Sequence, residues 1–214
     1  IDQLRVDHIR HVTAADNVKI EEFVPSAAYD TKDMFAELEK IVNAFEDTEL
    51  KAITLSLLDK NREKLLYWPA AFKLHHAMRG GLLTHVLSIV RLAQKFCEIY
   101  PCLDRDLLLA GAVLHDIAKL EEYDVPKTGI ATGYTPKGSL LGHPVMGAEA
   151  VHETAKELGV SEQTSLLLEH MILSHHGMPE FGAAVMPLFP EAEVLSELDM
   201  IDARIFEYYD TLED

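Results

Sequence analysis

Apolar positions recur along most of this chain at the three-to-four-residue spacing of buried helix faces. Met34, Leu38, Ile41 and Phe45 form one stripe, and Leu50, Ile53, Leu57 and Leu58 a second. Two amphipathic helices are therefore predicted from about residue 32, the first capped by Asp30 or Thr31. YWPAAF at 67–72 breaks the pattern, because Pro69 disfavours helical geometry at Trp68. Gly80–Gly81 precede a helix striped by Leu82, Val86, Ile89 and Leu92 and stopped by Pro101. Asp104 caps the next, in which Leu107, Leu108, Gly111 and Leu114 keep helical spacing up to His115 and Asp116. Residues 122–142, rich in Gly, Pro, Thr and Lys, read as a long loop or a small hairpin. Further helices are predicted from near His143–Pro144, with proline favourable in the first turn, from Ser161 to His175, and from Glu191 to about Tyr209. The pattern is that of an all-α bundle of six to seven helices. Residues 1–30 differ: IDQLRVDHIRHV alternates loosely, as a short extended, half-buried strand does, and an irregular stretch follows. A lone strand has nothing to pair with in a helical domain, so 1–30 reads as the end of a neighbouring domain or a linker, and 31–214 as the helical domain.

Composition narrows the class. With 214 residues, 48% hydrophobic and 26% charged, the chain has the make-up of one soluble globular domain with a real core. No apolar run approaches the roughly 18 residues of a membrane span, and no signal peptide is visible. Cys97 and Cys102 lack CxxC spacing, which argues against a disulfide framework or a zinc ribbon, and a cytoplasmic location is expected. The chain opens at Ile1 rather than Met, as a fragment of a longer protein would. A net charge of −17 argues against a broad nucleic-acid surface. The charges are uneven, however. Residues 60–95 carry Lys60, Arg62, Lys64, Lys73, Arg79, Arg91 and Lys95 against Glu63, whereas 191–214 carries nine acids against Arg204. Two readings remain: a basic face offered to phosphates, or a solvated face with an acidic tail.

The chemistry centres on His115–Asp116 at a helix end, followed by Lys119. His85 lies upstream, and His143, His175, His176 and Asp199 downstream, spread over the other predicted helices. Imidazole and carboxylate together hold borderline divalent metals. Singly the members decide little: a histidine on an apolar helix face is more often a hydrogen-bonded core residue. A carboxylate such as Asp199, beside Leu195 and Leu198, is costly to bury unless paired or metal-bound. Jointly they read as two adjoining metal positions, His85, His115, Asp116 and Asp199 for one and Asp116, His143, His175 and His176 for the other, with Asp116 bridging. Two ions so held suit an in-line displacement at phosphorus. Lys119, one turn beyond His115, is either a phosphate or transition-state contact or a solvated helix-end lysine. The N–H groups after Gly80–Gly81 either cradle an anion or merely make a tight turn.

His85, His115–Asp116 and Asp199 match the H…HD…D pattern of the HD superfamily of metal-dependent phosphohydrolases, and His143, His175 and His176 resemble its two-metal branch. HHAMRGGLLTH (75–85), DRDLLLAGAVLHDIAKL (104–120), GYTPKGSLLGH (133–143), HMILSHHGMPEFG (170–182) and PEAEVLSELDMIDA (190–203) resemble, more closely still, HD-domain 3′→5′ exoribonucleases of the YhaM type. The resemblance implies an HD helical bundle and two divalent ions (Mn, Fe or Co, with Mg or Zn open). It also implies release of nucleoside monophosphates from the 3′ end of single-stranded RNA or DNA, with Asp116 and Lys119 as catalytic residues. An OB-fold nucleic-acid-binding domain precedes the HD domain in that family, and residues 1–30 resemble the junction. His75 and His76 would stand near the substrate phosphate or serve packing, and Lys73 or Arg79 would guide the strand. Thr84 departs from the family pattern, standing where an acidic residue is expected, and the loop KTGIATGYT (127–135) is longer than usual. Two other functions fit the residues: an HD phosphohydrolase of small nucleotides, favoured by the acidic surface, and a non-catalytic metal-binding regulatory module. Assembly into an oligomer stays open.

Overall fold

Every residue from Asp106 to Leu120 is buried, and that stretch is the axis of the molecule. The computed structural model describes residues 5–72 and 76–213. In chain order it contains α1 (Thr31–Asn43), α2 (Thr48–Leu65), α3 (Gly81–Ile99), α4 (Arg105–Leu114), the single turn α5 (Lys119–Glu122), β1 (Tyr123–Asp124), β2 (Gly133–Tyr134), α6 (Pro136–Leu158), α7 (Glu162–Ser174) and α8 (Pro190–Glu213). Helix α4 is apolar on all sides, which suits a helix surrounded by others. It packs against α2, α3, α7 and α8, while α6 and α7 form a hairpin that also meets α2 and α5. Gly111 makes the crossing tight: a Cβ there would lie 2.4 Å from Met171 Cε on α7 and 3.3 Å from Leu195 on α8.

Local signals act where the sequence put them. Asp30 caps α1 by accepting from the Lys32 N–H, and Asp104 caps α4 by accepting from Leu107. Asp106, on α4, accepts from the Glu46 and Asp47 N–H groups at 2.6 and 2.9 Å and so ties the start of α2 to the central helix. The seven helices of ten residues or more match the expected bundle.

Two expectations need correction. The stretch 122–142 bears out the hairpin rather than the loop, but not to its end. It holds the β1–β2 hairpin, pairing Tyr123 with Tyr134 and Asp124 with Gly133, and then the first turns of α6. Thr135–Pro136 is a cap followed by a first-turn proline, a helix start masked in the sequence by Gly138, Ser139 and Gly142. Gly142, at φ 72°, breaks the helix, which resumes at His143. Nor is the N-terminal segment a strand over its described part. Residues 5–13 are exposed without regular structure, followed by 3₁₀ turns at Ala14–Asp16 and Ile20–Glu22. Alternation alone cannot hold a strand that has no neighbour to complete its ladder. A wide, mostly apolar cleft of about 710 Å³ runs along these turns, and none of its lining residues is a predicted metal ligand.

Candidate metal centre

Seven side chains from five helical regions meet where α4 ends. His85 comes from α3; His115 terminates α4, and Asp116 sits in the turn before α5. His143 restarts α6, His175 and His176 leave α7, and Asp199 comes from α8. Helix ends supply most of them, because a side chain there has a rigid base and still reaches inward. His85 Nε2 lies 3.1 Å from Asp199 Oδ1, 3.6 Å from Asp116 Oδ2 and 3.4 Å from His115 Nε2. His115 Nε2 lies 3.4 Å from Asp116 Oδ2 and 3.9 Å from Asp199 Oδ1. The other carboxylate oxygen, Asp116 Oδ1, faces His143 Nε2 at 3.3 Å and His175 Nε2 at 3.8 Å. His176 joins that second group, its ligand atom within 4.8 Å of those of His143 and His175. Asp116 thus presents one oxygen to each of two donor sets.

The outer nitrogens are held in place. His115 Nδ1 contacts Ala112 O at 3.0 Å, His175 Nδ1 Ile172 O at 2.6 Å, His143 Nδ1 Glu122 Oε2 at 3.0 Å and His85 Nδ1 Asp202 Oδ2 at 2.8 Å. An Nδ1–H donating outward leaves the Nε2 lone pair aimed at the centre, the arrangement of metal-ligating histidines. The inner atoms, by contrast, have unmet needs. Asp116 Oδ1, His143 Nε2 and His175 Nε2 are buried and form no hydrogen bond. Each such group costs about 1–3 kcal/mol. A cation would satisfy all three. Ligand bonds of about 2.1 Å place neighbouring donors roughly 3.0–3.5 Å apart, close to the separations found here, so the residues fit divalent ions.

Charge divides the centre. Burial alone would raise the Asp116 carboxyl, but the Lys119 ammonium, 2.7 Å from Oδ2, and His115 hold it well below the usual carboxylate range. Lys119, itself buried, is held charged by Asp116 against the cost of burial. Burial also opposes charge on His85, yet Asp199 and Asp202 raise it to about 9. His175 and His176 go the other way, pushed down first by burial and then by neighbouring imidazoles.

Comparison with known proteins follows the same lines. A family profile described as HD domain matches residues 82–204, more than half of the chain. The chain belongs to the HD-domain family. HD domains bind divalent metals, and the clusters above are where this one has the means to. It is 40% identical over 203 residues to a protein named 3′-5′ exoribonuclease YhaM from Shouchella clausii (strain KSM-K16), covering 95% of this chain and 63% of that protein. Proteins of the same name from Bacillus subtilis (strain 168) and Listeria monocytogenes serotype 4b (strain F2365) are 36% and 37% identical, with 95% of this chain and 64% of theirs covered. The chain therefore spans a little under two thirds of these relatives. No solved structure matches it.

Around the centre, the HD domain uses two carboxylates absent from the sequence-based candidates. Glu122 orients His143 through both ring and backbone, its Oε1 accepting the His143 N–H at 3.1 Å. It was hidden in a run of ordinary acids, HDIAKLEE, although one turn past Lys119 is within reach of the same centre. Asp202, one helical turn beyond Asp199, braces His85 and also contacts His76 at 3.1 Å and the Ser88 hydroxyl. Of the predicted substrate contacts, His76 is buried between Asp202 and the Phe206 ring, 3.8 Å between centroids. Arg79 is engaged with Glu21 at 3.0 Å and the Lys127 carbonyl at 2.7 Å. The Gly81 and Leu82 N–H groups, read as an anion cradle, already donate to Met78 and Trp68 carbonyls. Gly81 is required by close approach, since a Cβ would meet the His76 carbonyl at 2.0 Å. Thr84 turns away, donating to the Gly80 carbonyl at 3.0 Å. Lys73 and His75 lie outside the described residues.

Proposed function

We propose that this HD domain is the hydrolytic part of a metal-dependent 3′→5′ exoribonuclease that releases nucleoside monophosphates. The observation that carries the proposal is Asp116, whose two oxygens face different histidine sets at 3.3–3.8 Å while Oδ1 has no hydrogen bond. On this reading His85, His115, Asp116 and Asp199 would hold one ion, and Asp116, His143, His175 and His176 a second. Mn, Fe or Co suit imidazole-rich sets better than Mg. Ions held there supply an activated water at neutral pH and neutralise charge developing at phosphorus. The chain does the rest. Asp202, Glu122 and two backbone carbonyls fix four of the five imidazoles, so those four need little reorganisation in the reaction. Lys119 keeps Asp116 ionised and adds positive charge beside the oxygens of an incoming phosphate.

The relatives' name supports RNA as substrate, and their greater length leaves room for a further domain, which we take to be the preceding OB-fold-like domain that the family resemblance implies, with residues 1–30 as its remnant or linker. A stacking groove of that kind would supply the strand affinity that a chain of net charge −17 lacks. Among the described residues no helix is long and apolar enough to cross a membrane, in keeping with a cytoplasmic role. The acidic surface also favours a second reading, hydrolysis of small nucleotides, which needs no basic track. A 5′-labelled RNA oligonucleotide incubated with Mn²⁺ separates the two. Stepwise shortening from the 3′ end, abolished by EDTA, is expected. An intact oligonucleotide alongside hydrolysed free nucleotides would reject the exonuclease.

A further inference from the structure

Seven arginines occur in the chain, and six are committed to carboxylates: Arg5 to Asp7, Arg10 to Asp16, Arg62 to Glu39, Arg79 to Glu21, Arg91 to Glu37 and Arg105 to Asp106. Arg204 makes no ion pair among the described residues, although it stands in the most acidic stretch of the protein. It lines a cleft of about 230 Å³ whose inner wall is His175, His176 and Asp199. Ser196, Met200 and Phe181 complete that cleft. Ser196, Met200 and Arg204 fall on one face of α8 at four-residue intervals, so Arg204 lies about 7.5 Å along the helix from Asp199. Phe181, in the 3₁₀ turn Pro179–Phe181, is 69% exposed. Gly182 brings this turn against the metal centre: at φ 106°, a Cβ there would be 3.1 Å from His176 Nδ1.

A guanidinium without an ion pair among the described residues and an exposed phenyl ring line one cleft that opens on the candidate metal centre, and they match the two ends of a nucleotide. We propose that this cleft is the subsite for the nucleotide whose phosphate meets the metals. Its base stacks on Phe181, and Arg204 takes a phosphate oxygen left free by the ions. The proposal rests on the phosphoester reading above and adds residues that hold substrate without holding metal.

Calorimetric titration of the Mn²⁺-loaded protein with AMP and with ribose 5-phosphate, which lacks the base, tests it without turnover. Arg204→Gln is expected to weaken both ligands on the order of tenfold. Phe181→Ala is expected to weaken AMP on a similar scale and leave ribose 5-phosphate unchanged. Metal content should match the unsubstituted protein in both variants, since neither side chain is a ligand. Unchanged AMP affinity in both, or no AMP binding by the unsubstituted protein, overturns the subsite. The oligonucleotide assay judges the exonuclease separately: AMP held through Arg204 and Phe181, beside intact RNA and hydrolysed free nucleotides, keeps the subsite and rejects the exonuclease.

Discussion

The two halves of the metal centre share Asp116 and little else. The half built from His85, His115 and Asp199 is surrounded by acid: Asp202 braces His85 from behind, and the imidazole is held charged up to about pH 9. The half built from His143, His175 and His176 has one bracing carboxylate, Glu122, and burial keeps His175 and His176 neutral. The acidic half meets a proton in the absence of metal, whereas the imidazole half is left with bare lone pairs. Two donor sets a few ångströms apart are thus tuned to opposite resting states by what lies behind them.

Removing the carboxylate that both halves face should erase the distinction. Asp116→Asn is expected to lower metal content in both halves and bring phosphoester hydrolysis to background while the helical circular dichroism persists. Retained turnover would sink the bridging role. Substitutions confined to one half should be milder. If each half holds one ion, as proposed, His85→Ala and His175→Ala are each expected to remove one of the two, read by elemental analysis after dialysis. Loss of both ions from either variant would mean that the halves fill only together.

Touching the braces should sharpen the comparison further. Asp202→Asn and Glu122→Gln keep shape and remove charge, and each is expected to weaken metal binding about 10–100-fold in its own half. The larger effect belongs to Asp202→Asn, because Asp202 also contacts His76 and Ser88. Equal weakening of both ions by either substitution would show that the bracing is not local.

How much of this was legible depended on whether a signal was local. The bundle could be read from apolar stripes, and the seven converging side chains from histidines and carboxylates set at the ends of those stripes or, for His85 and Asp199, within them. His143 faces the other histidines even though its helix starts seven residues earlier, because Gly142 breaks the helix just before it. The braces were not legible. Glu122 and Asp202 look like any surface acid in sequence, and only the fold of α5 and α8 against the histidines makes them buried partners. The Gly80–Gly81 turn misled for the same reason: its N–H groups are taken by carbonyls that adjacency in sequence does not reveal.

The smallest effect, and the most diagnostic, is in pH. An unfolded histidine titrates near about 6.5. His85, raised to about 9 in the metal-free fold, contributes stability fully present below about pH 6.5 and lost as pH rises through about 9. His175, lowered, contributes stability present above about 6.5 and lost as pH falls through its depressed value. The EDTA-treated protein should therefore be most stable near neutrality, with His85 setting the alkaline flank and His175, together with the depressed carboxylates, the acid one. Metal binding reverses the first flank, because an ion must displace the His85 proton: affinity in that half should rise by up to about tenfold per pH unit toward 9. The imidazole half should be nearly flat over the same range. Mn²⁺ titrations of His175→Ala and His85→Ala at pH 7 and 8 read the halves one at a time. Identical pH slopes in the two variants would mean that Asp202 and Asp199 do not set the protonation of His85, and the contrast between the halves would be one of shape alone.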